Sequence, residues 1–363
     1  MKIHLVSSTE FMTSGTGVHS AFRSMIDLLK SKKDVEVVVN EEGKGDIFHS
    51  HSYGLYFFYK SLRYKGRRVH TVHTTPDTLK GSVVFAKLLQ PFSNLYFKLA
   101  FNHADVCLAI SPMVEQRLKS LGVKSKIVRV NNPVELDKWR TTPELSDEGR
   151  RMLGLKDDEF VVLGVGQLQQ RKGVEDFIDI AKNHPHIKFV WVGGRPFGPL
   201  TEGYMRINQK IEKAPANVLF AGSVGLEDMP KVYAAANVFL FPSYQENSPL
   251  APIEAAAAGL PVIFRNLIEY DMLYESDFLK AGNNAEFSTL IEQLYQDEAF
   301  RAQAISMSVE LTKQFDKDLI REQLVNIYSE LYIKSREVQP AFGISWLSAF
   351  TPSKTRLSRV QNN

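Results

Sequence analysis

The chain has 363 residues, 44% of them hydrophobic, which makes about two domains of roughly 150 residues each, with a sizeable core, and excludes general disorder. Cys107 is the single cysteine, so an intrachain disulfide framework and a cysteine-rich zinc site are both excluded and a reducing compartment is implied. The net charge is only +3, no apolar run reaches the roughly 18 residues of a membrane span, and the opening Met1-Lys2-Ile3-His4-Leu5-Val6 is too short for a signal peptide.

In chain order, Lys2–Ser7 reads as a strand, followed by the loop Ser14-Gly15-Thr16-Gly17 and a helix over Ser20–Lys30. Further strands are predicted at Val35–Val39, Asp46–His51, Arg68–His73, Val106–Ser111 and Lys126–Val130, with helical stretches between several of them. The polar stretch Arg140–Gly149 reads as a linker. The alternation then resumes with strands at Phe160–Gly166, Ile187–Gly193, Val218–Gly222, Val238–Pro242 and Pro261–Phe264, and amphipathic helices such as Val174–Asn183 and Leu226–Ala235. After Asn283 three helices are predicted, Ala285–Tyr295, Asp297–Thr312 and Asp316–Lys334, and from Val338 the composition turns basic and aromatic.

Beta-alpha alternation of this kind predicts two α/β domains, each a parallel, doubly wound sheet, facing a cleft at the strands' C-terminal ends. The boundaries expected are residues 1–145, 146–315, a crossover helix over 316–337 and a tail over 338–363.

The richest stretch runs from Pro242-Ser243-Tyr244 to Gly259-Leu260-Pro261: strand end, loop, a helix of small residues, then Gly-x-Pro into the next strand. Glu246 lies in its loop and Glu254 in its helix. Upstream, Arg171-Lys172-Gly173 leaves a strand and enters a helix, and two adjacent cations at a glycine turn suit a diphosphate.

Glu246-x7-Glu254 in that setting resembles the signature of retaining, nucleotide-sugar-dependent glycosyltransferases of the GT-B fold, over most of the chain from Gly15 to about Tyr332. The resemblance implies that Glu246 contacts the donor sugar and Glu254 the nucleotide ribose, with Asn247, Ser248, Pro249 and Leu250 near sugar and phosphates. It assigns the donor diphosphate to Arg171 and Lys172, places the Gly15–Gly17 loop near the phosphates, and makes His73 the strand-end histidine that positions hydroxyls. Negative charge growing on the departing diphosphate would be met by the two cations, so no cofactor and no obligatory metal are expected beyond the co-substrate UDP-glucose or UDP-galactose. His49-Ser50-His51 places two imidazoles on one strand face, but no neighbouring carboxylate or cysteine cluster completes a metal site.

The acceptor falls to the first domain. Between Tyr53 and His103 stand eight bases against Asp77, and the stretch is interleaved with aromatics. Lys60, Arg63, Lys65, Arg67, Arg68, Lys80 and Lys87, with Phe85 and Phe92, are the candidates for meeting anionic lipid. His73-Thr74-Thr75-Pro76-Asp77 with Lys80-Gly81-Ser82 is similar to bacterial synthases that glycosylate diacylglycerol or monoglycosyldiacylglycerol. The expectation is a peripheral enzyme at the cytoplasmic face of the cell membrane, with no nucleic-acid partner. Alternatives are a transferase acting on a soluble or cell-wall polysaccharide acceptor, or a sugar-nucleotide epimerase of the same fold. Two departures stand out: Asn237 replaces the usual Asp of Ala-Asp-Val, and Phe264–Tyr270 replaces a run of small residues.

Overall fold

The computed structural model describes residues 1–11, 17–41, 43–52, 54–76, 90–195, 198 and 203–337, without the side chains of 10, 11 and 334–337. Its first sheet contains β1 (Lys2–Val6), β2 (Glu36–Val39), β3 (Ile47–Ser50), β4 (Arg67–Val72), β5 (Val106–Ala109) and β6 (Lys126–Arg129), in the order β2-β1-β3-β4-β5-β6. The second contains β7 (Val161–Val165), β8 (Lys188–Val192), β9 (Val218–Gly222), β10 (Val238–Phe241), β11 (Val262–Arg265) and β12 (Leu279–Ala281), in the order β12-β11-β10-β7-β8-β9. All the pairings are parallel. Runs such as Val-Cys-Leu-Ala in β5 and Val-Phe-Leu-Phe in β10 are buried at every position, as strands covered by helices on both faces must be.

Eleven of these strands lie where the sequence predicts them. The twelfth, β12, is three residues long and pairs at the sheet edge with β11, too short to leave a pattern of its own. The polar stretch 140–149 is not a bare linker. It holds most of a helix, Pro143–Leu153, whose first turn is capped by Thr142 Oγ1 accepting from the Leu145 N–H. That helix lies against the Met229–Ala234 helix, and Gly149 permits the approach, because a Cβ there would stand 1.9 Å from the Lys231 carbonyl oxygen.

Asn237 sits just before β10, its Oδ1 accepting from the Val161 N–H at 2.8 Å. An Asn keeps the one acceptor this position uses, so the departure from Asp is structural. The last described helix, Lys317–Glu337, buries Ile320, Leu324, Tyr328 and Leu331 against Ile3, Phe22 and Val69, so the chain ends its described part on the first domain.

Strand order reverses between β1 and β3 in one sheet and between β7 and β10 in the other. Loops leaving neighbouring strands there diverge to opposite faces and open a crevice, where ligands of such sheets bind. In the second domain the diverging loops are those carrying Arg171–Lys172 and Glu246–Leu250.

Candidate active site

The two loops are locked together before any side chain is considered. Gly173, at φ +71°, ends the short turn Gln170–Lys172, and a Cβ on it would lie 2.3 Å from the Pro242 carbonyl oxygen at the end of β10. The Tyr244 N–H donates to the Arg171 carbonyl at 2.7 Å. A Gly173→Ala change meets both backbone strain and a backbone clash, so a loss of about 3 kcal/mol in urea denaturation is expected. An unchanged midpoint would contradict the close approach.

Glu246 is 9% exposed, and its Oε1 receives Lys172 Nζ at 2.5 Å, with an Arg171 guanidinium nitrogen at 3.5 Å. Arg171 also donates to the Gln245 carbonyl at 3.2 Å and, through Nε, to Gln169 at 3.1 Å. Burial pushes the Glu246 carboxyl up, but the Lys172 and Arg171 charges outweigh it and hold the group below the ordinary carboxylate value. Burial, reinforced by the Arg171 charge, pulls the Lys172 ammonium down against the attraction of Glu246.

Glu254 lies in the first turn of the Ala251–Ala257 helix, whose Ala255 and Ala256 are fully buried so that it packs closely on the sheet. Its Oε2 accepts from the Tyr233 hydroxyl at 2.7 Å. Its apolar surroundings raise the carboxyl to about 7, opposed by the Tyr233 hydrogen bond and the Lys138 charge. Above the pair, the Phe264–Tyr270 departure is accounted for. Arg265, 5% exposed, donates to the Pro242 carbonyl and to Asp176, each at 2.8 Å, and stacks on Tyr244 at 3.9 Å. Tyr270 and Tyr274 are buried in the same region, and the Glu246 charge helps push both phenols up after burial itself.

From the first domain, His73 directly follows β4 and is 9% exposed. Its Nε2 lies 2.9 Å from His51 Nδ1. His49 is engaged on both nitrogens, by Tyr328 at 2.6 Å and Thr71 at 2.7 Å. Burial, reinforced by the His70 charge, lowers His73 to about 3, so it is neutral and acts through hydrogen bonds. One amide bridges the two domains: Asn247 Nδ2 donates to the His73 carbonyl at 2.8 Å, and its Oδ1 accepts from Arg117 at 2.7 Å. Ser248 is half-buried, and Pro249 and Leu250 are buried behind it. Arg117 was invisible as a site residue in the sequence, because nothing local marks a helix arginine that pairs 130 positions away.

Other predicted positions are spread out. Gly17 is exposed at the start of the Gly17–Lys30 helix, while Gly15, Lys80, Phe85, Lys87 and the tail 338–363 lie outside the described residues. Arg67 and Arg68 lie on β4 and are engaged within the domain, Arg67 with Asp105 at 3.0 Å and Arg68 with His103 at 2.7 Å. Lys60, Arg63 and Lys65 lie on or just after the Leu55–Arg63 helix, which exposes Leu55, Tyr56, Tyr59 and Leu62. The Gln90–Asn102 helix exposes Phe92, Leu95 and Leu99, and the two helices touch through Phe58 and Tyr96. The aromatics of this region therefore divide: Phe57, Phe97 and Phe101 are core, while Tyr56, Tyr59 and Phe92 face outward.

Among the described residues, one trio has metal-ligand spacing, His184, His186 and Glu292, with the two imidazoles 3.2 and 3.5 Å from the same carboxylate oxygen. His184 Nε2 is buried without the acceptor that a ligating imidazole ordinarily needs, and the trio lies at the N-terminal end of β8, away from the crevice.

Two facing parallel-sheet domains, with a cation pair and a carboxylate at the second domain's switch point, define a nucleotide-sugar transferase of the GT-B type. Residues 146–308 match the family model of group 1 glycosyl transferases, and residues 20–138 match glycosyltransferase family 4. The chain is 31% identical to an alpha-galactosylglucosyldiacylglycerol synthase of Streptococcus pneumoniae, over 92% of this chain and 90% of that one. It is 27% identical to a processive diacylglycerol alpha-glucosyltransferase of Acholeplasma laidlawii, over 91% of this chain and 98% of that one. Among solved structures, Anabaena HepE in complex with UDP and glucose superposes with a TM-score of 0.71 at 18% identity, covering 91% of this chain and 99% of HepE. The chain belongs to the group 1 glycosyltransferases, as a hexosyltransferase homologous to glycosyldiacylglycerol synthases.

Proposed function

We propose that this hexosyltransferase moves glucose or galactose from a UDP-sugar to a diacylglycerol-based lipid at the cytoplasmic membrane surface, with retention at the anomeric carbon. The observation that carries the chemistry is the Arg171–Lys172–Glu246 cluster at the switch point, whose neighbour Asn247 bonds the His73 carbonyl across the domain junction. The donor diphosphate replaces Glu246 as the anionic partner of the two cations, and Glu246 turns to the sugar hydroxyls. As the bond from anomeric carbon to phosphate breaks, negative charge grows on the diphosphate, where Arg171 and Lys172 already stand. Glu254, beside Tyr233, takes the ribose hydroxyls. His73, neutral and fixed by His51, orients a hydroxyl rather than carrying charge.

The names of the two relatives that span nearly the whole chain support the lipid acceptor, and the UDP and glucose of HepE support the donor. No described helix is long and apolar enough to cross a membrane. The paired helices Leu55–Arg63 and Gln90–Asn102 instead offer exposed apolar side chains beside Lys60, Arg63 and Lys65, a pattern suited to lying on an anionic surface. Radiolabelled UDP-glucose and UDP-galactose, offered with diacylglycerol or glucosyldiacylglycerol in anionic vesicles with and without EDTA, test this reading. Label is expected in the lipid phase under both conditions. Its absence with every pair would remove the glycolipid assignment, and loss in EDTA alone would show a metal requirement.

A further inference from the structure

A cleft of about 180 Å³ opens on the first domain beside the junction, between the Gln90–Asn102 and Pro112–Ser120 helices. Thr75, Gln90, Asn94, Arg117 and Ser120 line it, and none of the described lining residues is acidic. Thr75 stands two positions after His73, and Arg117 holds Asn247 of the donor loop, so the cleft adjoins the place where transfer occurs. Its volume is well above the roughly 10–15 Å³ that one water needs on this measure, which leaves room for a pyranose ring.

The described wall groups are amides, hydroxyls and a guanidinium already engaged with Asn247, a set suited to a polyol. Gln90 Nε2 donates to Asn94 Oδ1 at 2.9 Å, which sets two amides edge to edge one helical turn apart. Amides offer both donors and acceptors, and a sugar hydroxyl requires both. The same helix carries its exposed apolar side chains elsewhere: at 100° per residue, Phe92, Leu95 and Leu99 cluster on the side opposite Gln90 and Asn94. With those side chains resting on a bilayer, the amides stand about one helix diameter, roughly 10 Å, above it. The hydroxyl of a bare diacylglycerol lies at the level of its esters, whereas a headgroup that already carries a sugar projects toward the amides.

We propose that this cleft binds the sugar of a monoglycosylated acceptor lipid, with Gln90 and Asn94 as its hydrogen-bonding residues. This rests on the glycolipid reading above and makes it narrower: the enzyme adds a second sugar. Transfer to glucosyldiacylglycerol and to diacylglycerol is compared in the same anionic vesicles for the native chain and Asn94→Leu. The native chain is expected to favour the glycosylated acceptor at least tenfold in kcat/KM. Asn94→Leu is expected to lose roughly tenfold with that acceptor alone, while UDP affinity and vesicle binding stay unchanged.

Direct binding of water-soluble glucosylglycerol, followed by saturation-transfer NMR, reads the cleft without turnover. Binding that disappears in Asn94→Leu supports the site even if no lipid is labelled, a result that would sink only the glycolipid reading. Equal use of both acceptors by both chains overturns the sugar site and leaves lipid transfer standing. So does an absence of glucosylglycerol binding, or competition by glycerol phosphate in its place.

Discussion

Glu246→Gln is expected to lower sugar transfer at least 100-fold and also to lower stability. Both effects come from one geometry. The carboxylate is buried and takes its charge balance from Lys172 at 2.5 Å and Arg171 at 3.5 Å. Neutralising it leaves two enclosed cations without their partner, a class of change that costs about 3–5 kcal/mol. Burial already pulls the Lys172 ammonium down, and losing the attraction of Glu246 pulls it further. The stabilising share of Glu246 is present above the ordinary carboxylate value and is lost as pH falls through its lowered folded one. Loss of activity must therefore be separated from loss of fold. In Glu246→Gln with Lys172→Met the buried charge imbalance is reduced, so thermal stability should recover substantially. Transfer should not, because the donor would lose both its sugar acceptor group and a phosphate cation. Recovery of turnover together with stability would remove Glu246 and Lys172 from the chemistry.

Arg117→Ala is expected to cut kcat/KM about 10- to 100-fold although Arg117 lies on the first domain. Its guanidinium holds Asn247 Oδ1 at 2.7 Å, while the same amide holds the His73 carbonyl at 2.8 Å. A hydrogen bond to a charged group contributes about 1.5–3 kcal/mol, which spans that range when it is expressed in the productive arrangement. Asn247→Ala removes both links, so the double variant should be little worse than Asn247→Ala alone. That non-additivity is the signature of a shared contact across the domains. Fully additive effects would show that Arg117 and Asn247 act separately. UDP affinity should change less than kcat, because Arg171 and Lys172, the cations proposed to meet the diphosphate, are held within the second domain.

The sequence was most legible where local chemistry repeats. Strands buried on both faces leave unbroken apolar runs, and eleven of twelve could be placed from them. Arg171, Lys172, Glu246 and Glu254 were marked by residue type at a strand end, and the tertiary structure brings the first three into contact. The chain alone left β12 unmarked, since three residues gain strand geometry only from pairing with β11. It also left the helix Pro143–Leu153 looking like a linker, because the helix is polar on most of its surface and is fixed by Gly149 meeting a distant backbone.

The uneven charge of the first domain was visible from composition but not its division. Arg67 and Arg68 are consumed by Asp105 and His103, while Lys60, Arg63 and Lys65 keep company with exposed Tyr56, Tyr59 and Leu62. The two α/β domains, the Arg171-Lys172 and Glu246-x7-Glu254 motifs and the basic, aromatic character of the first domain are read from the chain alone, because these rest on periodicity and on motifs a few residues long. Only the tertiary structure decided that Asn247 links Arg117 to His73, that His51 and Tyr328 hold the histidines, and that Gln90 and Asn94 face a cleft. Those contacts join residues from 22 to 279 positions apart, a distance at which packing, and not local pattern, selects the partner.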